Sequence, residues 1–388
     1  MKNRSLLMIP GPIEFEPAVL SALGAPTTSH VAPDFIETFG QALERMREVF
    51  LCPDGQPFVV AGSGTLAMDL AGANLIEPGD KALVVNTGYF GDRFGDLLSR
   101  YGAEVTHIRA PIGGRPALGD VEAALRTGDY KLVTITHVDT STGVVTDVQA
   151  LTAAARANGA LSIVDGVCSV AGEALRMSDW GVDVALTASQ KAIGTPPGLA
   201  LLVAGPRAIE AFRARKSPVA NYYADWTNWL PIMTAYESRQ AGYFGTPAVN
   251  LVAALNVSLE SILREGMEAR FERHVLVARA CRAAMAALGL GQVPLTPEVA
   301  ANTMTAPRFP AGIGAAELLP KVTAAGVILA GGLHPEIKSE YFRIGHMGSV
   351  TQGDLLATVG AIETALASVG YSFRRGAGVA AAMEVFAS

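Results

Sequence analysis

The stretch Val182-Asp183-Val184-Ala185-Leu186-Thr187-Ala188-Ser189-Gln190-Lys191-Ala192-Ile193-Gly194-Thr195-Pro196-Pro197-Gly198 decides the fold of this chain. The apolar strand candidate Val184–Leu186 runs out into small polar residues and a single lysine. Gly194, Pro196 and Pro197 then bar an ordinary helix. Only nine residues, Gln190 to Gly198, then separate Ser189 from the next strand candidate, Leu199–Val203. A parallel crossover needs about a dozen or more, so this last strand is expected to run antiparallel, with Lys191 in the connection. A lysine at the end of a buried strand is either a loop cation in water or an amine desolvated enough to act as a nucleophile. These residues alone leave both readings open.

Upstream, strand candidates recur at Phe58–Ala61, Ala82–Val85, Glu104–Ile108, Leu132–Val138 and Leu161–Val164. From Ala82 to Val184 their starts lie 22 to 29 residues apart, with helical segments such as Gly91–Tyr101 and Val148–Asn158 between them. That is βαβ spacing, and it predicts an α/β fold with a mainly parallel seven-stranded sheet and one antiparallel strand. Such sheets bind ligands beyond the carboxyl ends of their strands. The polar residues at those ends are Ser63 and Thr65, Asn86 to Phe90, Thr140 to Thr142, Asp165, and Gln190 with Lys191. Topology brings them to one rim.

The turn Gly62-Ser63-Gly64-Thr65 between a strand and a helix resembles a dinucleotide fingerprint, but the acidic residue that should close the next strand is missing. Ala82–Val85 ends in Asn86-Thr87-Gly88, and Asp80 stands at the wrong end. The turn suits a different phosphate, or is simply tight. Asp165 closes Leu161–Val164, where a carboxylate is costly unless it meets a cation or strong donor, or caps a helix from Val167. An aspartate and a lysine on one rim, near a phosphate-sized turn, form the set that a pyridoxal 5′-phosphate site requires. Phe90 is the candidate for stacking on the ring, and Thr140 for donating to the ring hydroxyl.

Composition narrows the function classes. The 388 residues are 50% hydrophobic with a formal charge of −6 and no lysine or arginine block, which argues against nucleic acid. Cys52, Cys168 and Cys281 are far apart, and the six histidines have no ligand spacing, so neither a disulfide framework nor a metal site is expected. The apolar part of Met1 to Gly11 is too short for a signal segment, and no run suggests a membrane span; a cytoplasmic protein is the expectation.

Residues 213–247 read as a long, aromatic, irregular stretch, functional or at an interface. Val249–Leu263 and Met267–Leu288 read as helices. Arg270, Arg273, Arg279 and Arg282 fall mostly off the apolar face of the second and are expected to be solvated, with no role. Beyond Leu290 short strands and helices alternate. The expected organisation is an arm at 1–15, a large domain at 16–262 and a smaller C-terminal α/β domain at 263–388, with the glycine- and alanine-rich tail 370–388 left unassigned.

The chain resembles the class V aminotransferases of fold type I, in particular the alanine–glyoxylate enzymes of the fungal-type branch. The residues that carry the resemblance are Ile9-Pro10-Gly11-Pro12, Ala61 to Thr65, Thr136 to Gly143, Val164 to Ser169, Ala188 to Ala192 with Pro196-Pro197-Gly198, Tyr243 to Pro247, and Arg343-Ile344-Gly345-His346-Met347-Gly348. By resemblance Lys191 is the Schiff-base lysine, Asp165 the partner of the pyridinium nitrogen, and Val167 the residue packing on the ring face opposite Phe90. Ser63, Gly64, Thr65 and Gln190 are implied phosphate contacts. Tyr243 and Thr246 are implied phosphate contacts from the neighbouring subunit, which requires a homodimer with shared sites. Arg343 is implied to bind the substrate carboxylate as a fork, with Gly11 also at the substrate. Phe90 stands where many relatives have tryptophan, Thr65 where some have histidine, and Gly166 where some have serine or alanine.

The implied chemistry is ping-pong transamination between a small amino acid and a 2-oxo acid: Lys191, displaced from the cofactor by an amino acid, becomes the base at the α-carbon. No second arginine or lysine is expected for an acidic side chain, which favours small uncharged donors, alanine or serine, with glyoxylate. Relatives acting on serine or pyridoxamine carry the same motifs. A cysteine desulfurase needs a reactive cysteine on a small-domain loop, whereas Cys281 falls on an expected helix. A non-catalytic binding protein has little reason to keep Lys191, Asp165 and Arg343 together.

Overall fold

The computed structural model describes residues 5–388. Its centre is a seven-stranded sheet of β1 (Gln56–Ala61), β2 (Lys81–Asn86), β3 (Glu104–Arg109), β4 (Leu132–Thr136), β5 (Leu161–Asp165), β6 (Val184–Ala188) and β7 (Leu199–Ala204). The spatial order is β1-β7-β6-β5-β4-β2-β3. Strand β7 runs antiparallel to both neighbours, with Leu199 opposite Ala61 and Ala200 opposite Ala188; the other pairings are parallel. The short connection through Lys191 therefore reverses the chain, as its length requires. Strands β4 to β7 are buried along their whole length, as expected where helices cover both faces of a sheet. Edge strand β3 instead carries Glu104, His107 and Arg109, which discourage pairing with another sheet.

Thirteen helices are present among the described residues: α1 (Pro17–Leu23), α2 (Pro33–Val49), α3 (Gly64–Leu75), α4 (Tyr89–Arg100), α5 (Leu118–Thr127), α6 (Val148–Ala157), α7 (Pro206–Arg213), α8 (Trp226–Glu237), α9 (Val249–Glu265), α10 (Met267–Ala287), α11 (Ala315–Ala324), α12 (Gln352–Ser368) and α13 (Ala377–Ala387). None is long and apolar enough to cross a membrane. Helix α3 packs against β6 and β7, which aims its first turn at the strand ends carrying Asp165 and Lys191.

Buried apolar residues form two clusters. One surrounds the seven-stranded sheet; the other joins Val277 to Met285 of α10 with α11, α12, the strand Phe342–Gly345 and Met8 of the N-terminal arm. The arm is tied to this second cluster because Leu6–Leu7 pairs in parallel with Val327–Ile328. On these two cores we propose two domains that meet near the α9–α10 junction, where Gly266 takes φ +85°.

Two expectations are corrected, and the unassigned tail acquires a structure. The stretch 213–247 contains α8, begun by Asp225, whose side chain accepts from the Thr227 amide at 2.8 Å. Trp226, Trp229, Met233 and Tyr236 lie on its buried face, and Pro231 inside the helix hid the pattern. The tail holds α13, whose start is fixed by Glu363: its carboxylate accepts from the amides of Gly376, Gly378 and Val379 at 2.6, 2.8 and 3.2 Å. The arginines of α10 are not all solvated. Arg270 is buried and donates to the carbonyls of Ala171 and Ala192. Arg273 donates to those of Gly348 and Val350, and Arg282 to that of Ala301.

Candidate active site

Beyond the carboxyl ends of β5 and β6 lies a cavity of about 200 Å³. Ser63, Gly64, Thr65, Met68, Phe90, Arg93, Val138, Thr140, Asp165, Val167, Cys168, Gln190 and Lys191 line it. Nine residues expected at the site thus line one cavity: Ser63, Gly64, Thr65, Phe90, Thr140, Asp165, Val167, Gln190 and Lys191. Gly11, Arg343, Tyr243 and Thr246 do not line this cavity.

Asp165 is the last residue of β5, paired in register with Thr136 on one side and Leu186 on the other. It is 3% exposed, and its Oδ1 accepts one bond, from the Val167 amide at 3.0 Å. The chain after it turns rather than entering a helix, so the bond closes a local turn and caps nothing longer. Burial pushes the Asp165 carboxyl up to about 6; the Val167 amide and the charges of Lys191 and Arg93 oppose that, and Asp139 adds to it. The ionised carboxylate therefore lacks a full set of donors and is suited to a cationic N–H entering the cavity.

Lys191 sits in the turn between β6 and β7. Its Nζ hydrogen-bonds the carbonyl of Pro10, in the N-terminal arm. Gly11 takes φ +106°, a conformation that favours glycine, and a Cβ there would stand 2.5 Å from Lys191 Cδ and displace the end of that side chain. Removal from water lowers the Lys191 pKa; Cys168 and Asp165 oppose the shift and Arg343 adds to it. An amine with a lowered pKa is the form of lysine suited to nucleophilic and base chemistry. The connection itself is tied down by Ser189, whose Oγ donates to the Pro196 carbonyl at 2.8 Å and accepts from the Leu199 amide at 3.2 Å.

Across the cavity, Phe90, the second residue of α4, is positioned by Asp139. That buried carboxylate accepts from the Phe90 amide at 3.2 Å, from the Ser141 amide at 2.8 Å and from Ser141 Oγ at 2.6 Å. It joins the aromatic to the loop that carries Thr140. Ser63 precedes α3 without capping it through its side chain, so the first amides of that helix are left for a ligand. Gly64 lies against Val167: a Cβ would stand 3.0 Å from Val167 Cγ2. Gln190 Oε1 is buried without a hydrogen-bond partner, an unmet polar group on a wall of the cavity.

Arg343 comes from the strand Phe342–Gly345. Its Nε donates to the Gly331 carbonyl at 2.8 Å and its Nη1 to the Thr140 carbonyl at 3.4 Å. No carboxylate of the described residues pairs with it, so its remaining donors are available to an anion. Tyr243 is 65% exposed and stacks obliquely on His30 at 5.4 Å; Thr246 is also exposed.

Sequence reasoning missed Arg93, Asp139 and Cys168. Arg93 places a second cation on the cavity wall besides Lys191. The available signal was its place three residues after Phe90, hence on the same face of α4. Cys168 is buried, with a thiol pushed up to about 11 by burial, so it serves as wall rather than nucleophile.

The residues fit a phosphorylated, cationic ring. An underpaired buried carboxylate faces a lysine, an aromatic and a valine can flank a plane, and free amides and hydroxyls stand at a helix start. Comparison with known proteins agrees. The family model described as aminotransferase class-V matches residues 19–345. The chain is 38% identical over 360 residues to alanine–glyoxylate aminotransferase 1 of Saccharomyces cerevisiae, covering 89% of this chain and 93% of that one. It is 34% identical to the L-aspartate–glyoxylate aminotransferase of Paracoccus denitrificans, covering 99% and 96% of the two chains. Among solved structures, the ureidoglycine–glyoxylate aminotransferase of Bacillus subtilis superposes with a TM-score of 0.94 at 26% identity, covering 100% of this chain and 99% of that one.

Proposed function

The chain belongs to the class-V aminotransferases, and from that premise we propose that it transfers an amino group from a small L-amino acid, alanine or serine, to glyoxylate. The kinetics would be ping-pong, in a cytoplasmic homodimer. One observation carries the reading: Lys191 and Asp165 line the same cavity as the turn Ser63-Gly64-Thr65.

Family membership implies pyridoxal 5′-phosphate, which when bound supplies a carbonyl to receive the amino group and a ring to accept electrons from the substrate's α-carbon. Asp165 would keep the ring nitrogen protonated. Phe90 and Val167 would flank the ring, and Thr140 would donate to its hydroxyl. Ser63, Gly64, Thr65 and Gln190 would hold the phosphate, joined by Tyr243 and Thr246 of a second subunit. Lys191 would link the chain to the cofactor and, once displaced, move the proton from the α-carbon. Its lowered pKa favours the neutral amine that this base step needs. Arg343 would take the substrate carboxylate, with Gly11 alongside.

A second donor class is favoured by one observation. Arg93 on the cavity wall is a cation that an acidic side chain could use, and one relative is named for aspartate. The test is a donor panel of L-alanine, L-serine, L-aspartate and pyridoxamine, with glyoxylate and pyruvate as acceptors and the half-reaction spectrum recorded without acceptor. Alanine with glyoxylate is expected to give the highest kcat/KM. Arg343→Ala is expected to raise KM for both substrates about 10- to 100-fold, the loss of a charge-assisted fork. A half-reaction with none of the donors would overturn the proposal, and a clear preference for aspartate would move it to the acidic class.

A further inference from the structure

We propose that Arg93 is the charge partner of the cofactor's phosphate; among the described residues it is the one guanidinium lining that cavity. The inference rests on the cofactor reading above. The residues expected to hold the phosphate are hydroxyls, amides and a carboxamide: Ser63, Gly64, Thr65 and Gln190. None is a cation. A phosphate carries close to two negative charges near neutral pH, and withdrawing it from water without a cationic partner is costly. Arg93 stands beside these groups. Its Nη1 donates to Thr65 Oγ1 at 3.2 Å, and it lines the same cavity.

The guanidinium is also held in place and left uncommitted. Its Nη2 donates to the Tyr89 hydroxyl at 3.0 Å, and its Cζ lies 5.0 and 5.2 Å from the centroids of Tyr89 and Phe90. Of its five N–H donors, these bonds engage two. No carboxylate of the described residues pairs with it. The adjacent Asp92 is taken by Arg109 at 2.5 Å and by Asn86 Nδ2 at 2.9 Å. A preorganised arginine with spare donors, beside the uncapped first turn of α3, is the arrangement that recognises a phosphate dianion.

The experiment separates the phosphate from the ring. Cofactor-free protein is titrated with pyridoxal 5′-phosphate and, separately, with pyridoxal, following the visible band and tryptophan fluorescence. Arg93→Gln is expected to weaken binding of the phosphorylated compound about 10- to 100-fold while leaving pyridoxal unchanged. Inorganic phosphate is expected to compete with the cofactor in the wild type and markedly less in the variant. Arg93→Lys, which keeps the charge without the fork and guards against a folding failure, is expected to fall between. Equal loss for both compounds, or loss for neither, would overturn the assignment. So would unchanged cofactor affinity with selective loss of aspartate turnover, which would assign Arg93 to a substrate side chain. Wild-type protein that binds neither compound would instead overturn the proposed function, and this inference with it.

Discussion

Arg270 donates from Nη2 to the carbonyl of Ala192 at 2.7 Å, so the residue after Lys191 is held by the first turns of α10. The same guanidinium reaches Ala171 O at 2.8 Å and pairs with Glu265 at 2.7 Å. One turn away, His274 accepts at Nε2 from the Gly348 amide at 3.0 Å and its Nδ1 lies 2.7 Å from the Arg270 carbonyl, which fixes the proton on Nδ1. Arg273 binds Gly348 O at 2.8 Å. The lysine turn and the loop after Arg343 therefore hang from adjacent turns of one helix.

Arg270→Met should cost about 3 kcal/mol of stability in urea denaturation, because it leaves two carbonyls at Ala171 and Ala192 without their buried donor and removes Arg270 from its ion pair with the half-buried Glu265. Arg270→Lys should recover part of it. A loss within experimental error of zero would show that the contacts are incidental.

The pH dependence of the cofactor-free chain should report Asp165. Its carboxyl is raised to about 6 in the folded state by burial, with Asp139 adding to the shift and Lys191 and Arg93 opposing it. A raised carboxylate stabilises the fold fully below its unfolded pKa and loses that contribution as pH rises through the folded value. Asp165→Asn should therefore gain thermal stability relative to the wild type between about pH 4 and pH 6, and hold the gain above. A gap in Tm that does not change with pH would contradict this.

The proposed sharing of sites between subunits makes a separate prediction. Ser63, Thr65, Tyr243 and Thr246 are all exposed in the single chain, and Tyr243 lines none of its own cavity. Light scattering should give a dimer mass, and Tyr243→Phe or Thr246→Ala should weaken cofactor binding about tenfold for each hydrogen bond lost to a charged group. A monomer with full activity would defeat the proposal.

How much of this was legible in the sequence depended on how local its cause was. The turn at Lys191 is dictated by residue count and two prolines, and Asp165 is exposed as chemistry by its place at the end of an apolar strand. Both follow from the neighbouring few residues plus sheet topology. Helix α13 depends on Glu363, about one turn before the end of α12, reaching amides 13 to 16 residues later, and no local pattern announces that. Arg270 looked like any off-face arginine because its partners, Ala171 and Ala192, are backbone carbonyls 99 and 78 residues away. Arg93 was overlooked for a related reason: its meaning lies in Thr65, on another helix.

The most direct test of the proposed chemistry concerns Lys191 itself. Purified wild-type protein loaded with pyridoxal 5′-phosphate should show a visible absorbance band that borohydride reduction fixes covalently to the Lys191 peptide in mass spectrometry. Lys191→Ala should bind the cofactor without that band and without covalent attachment. A persistent lysine-bound chromophore in the variant, or attachment at another lysine in the wild type, would contradict the assignment of Lys191 as the catalytic residue.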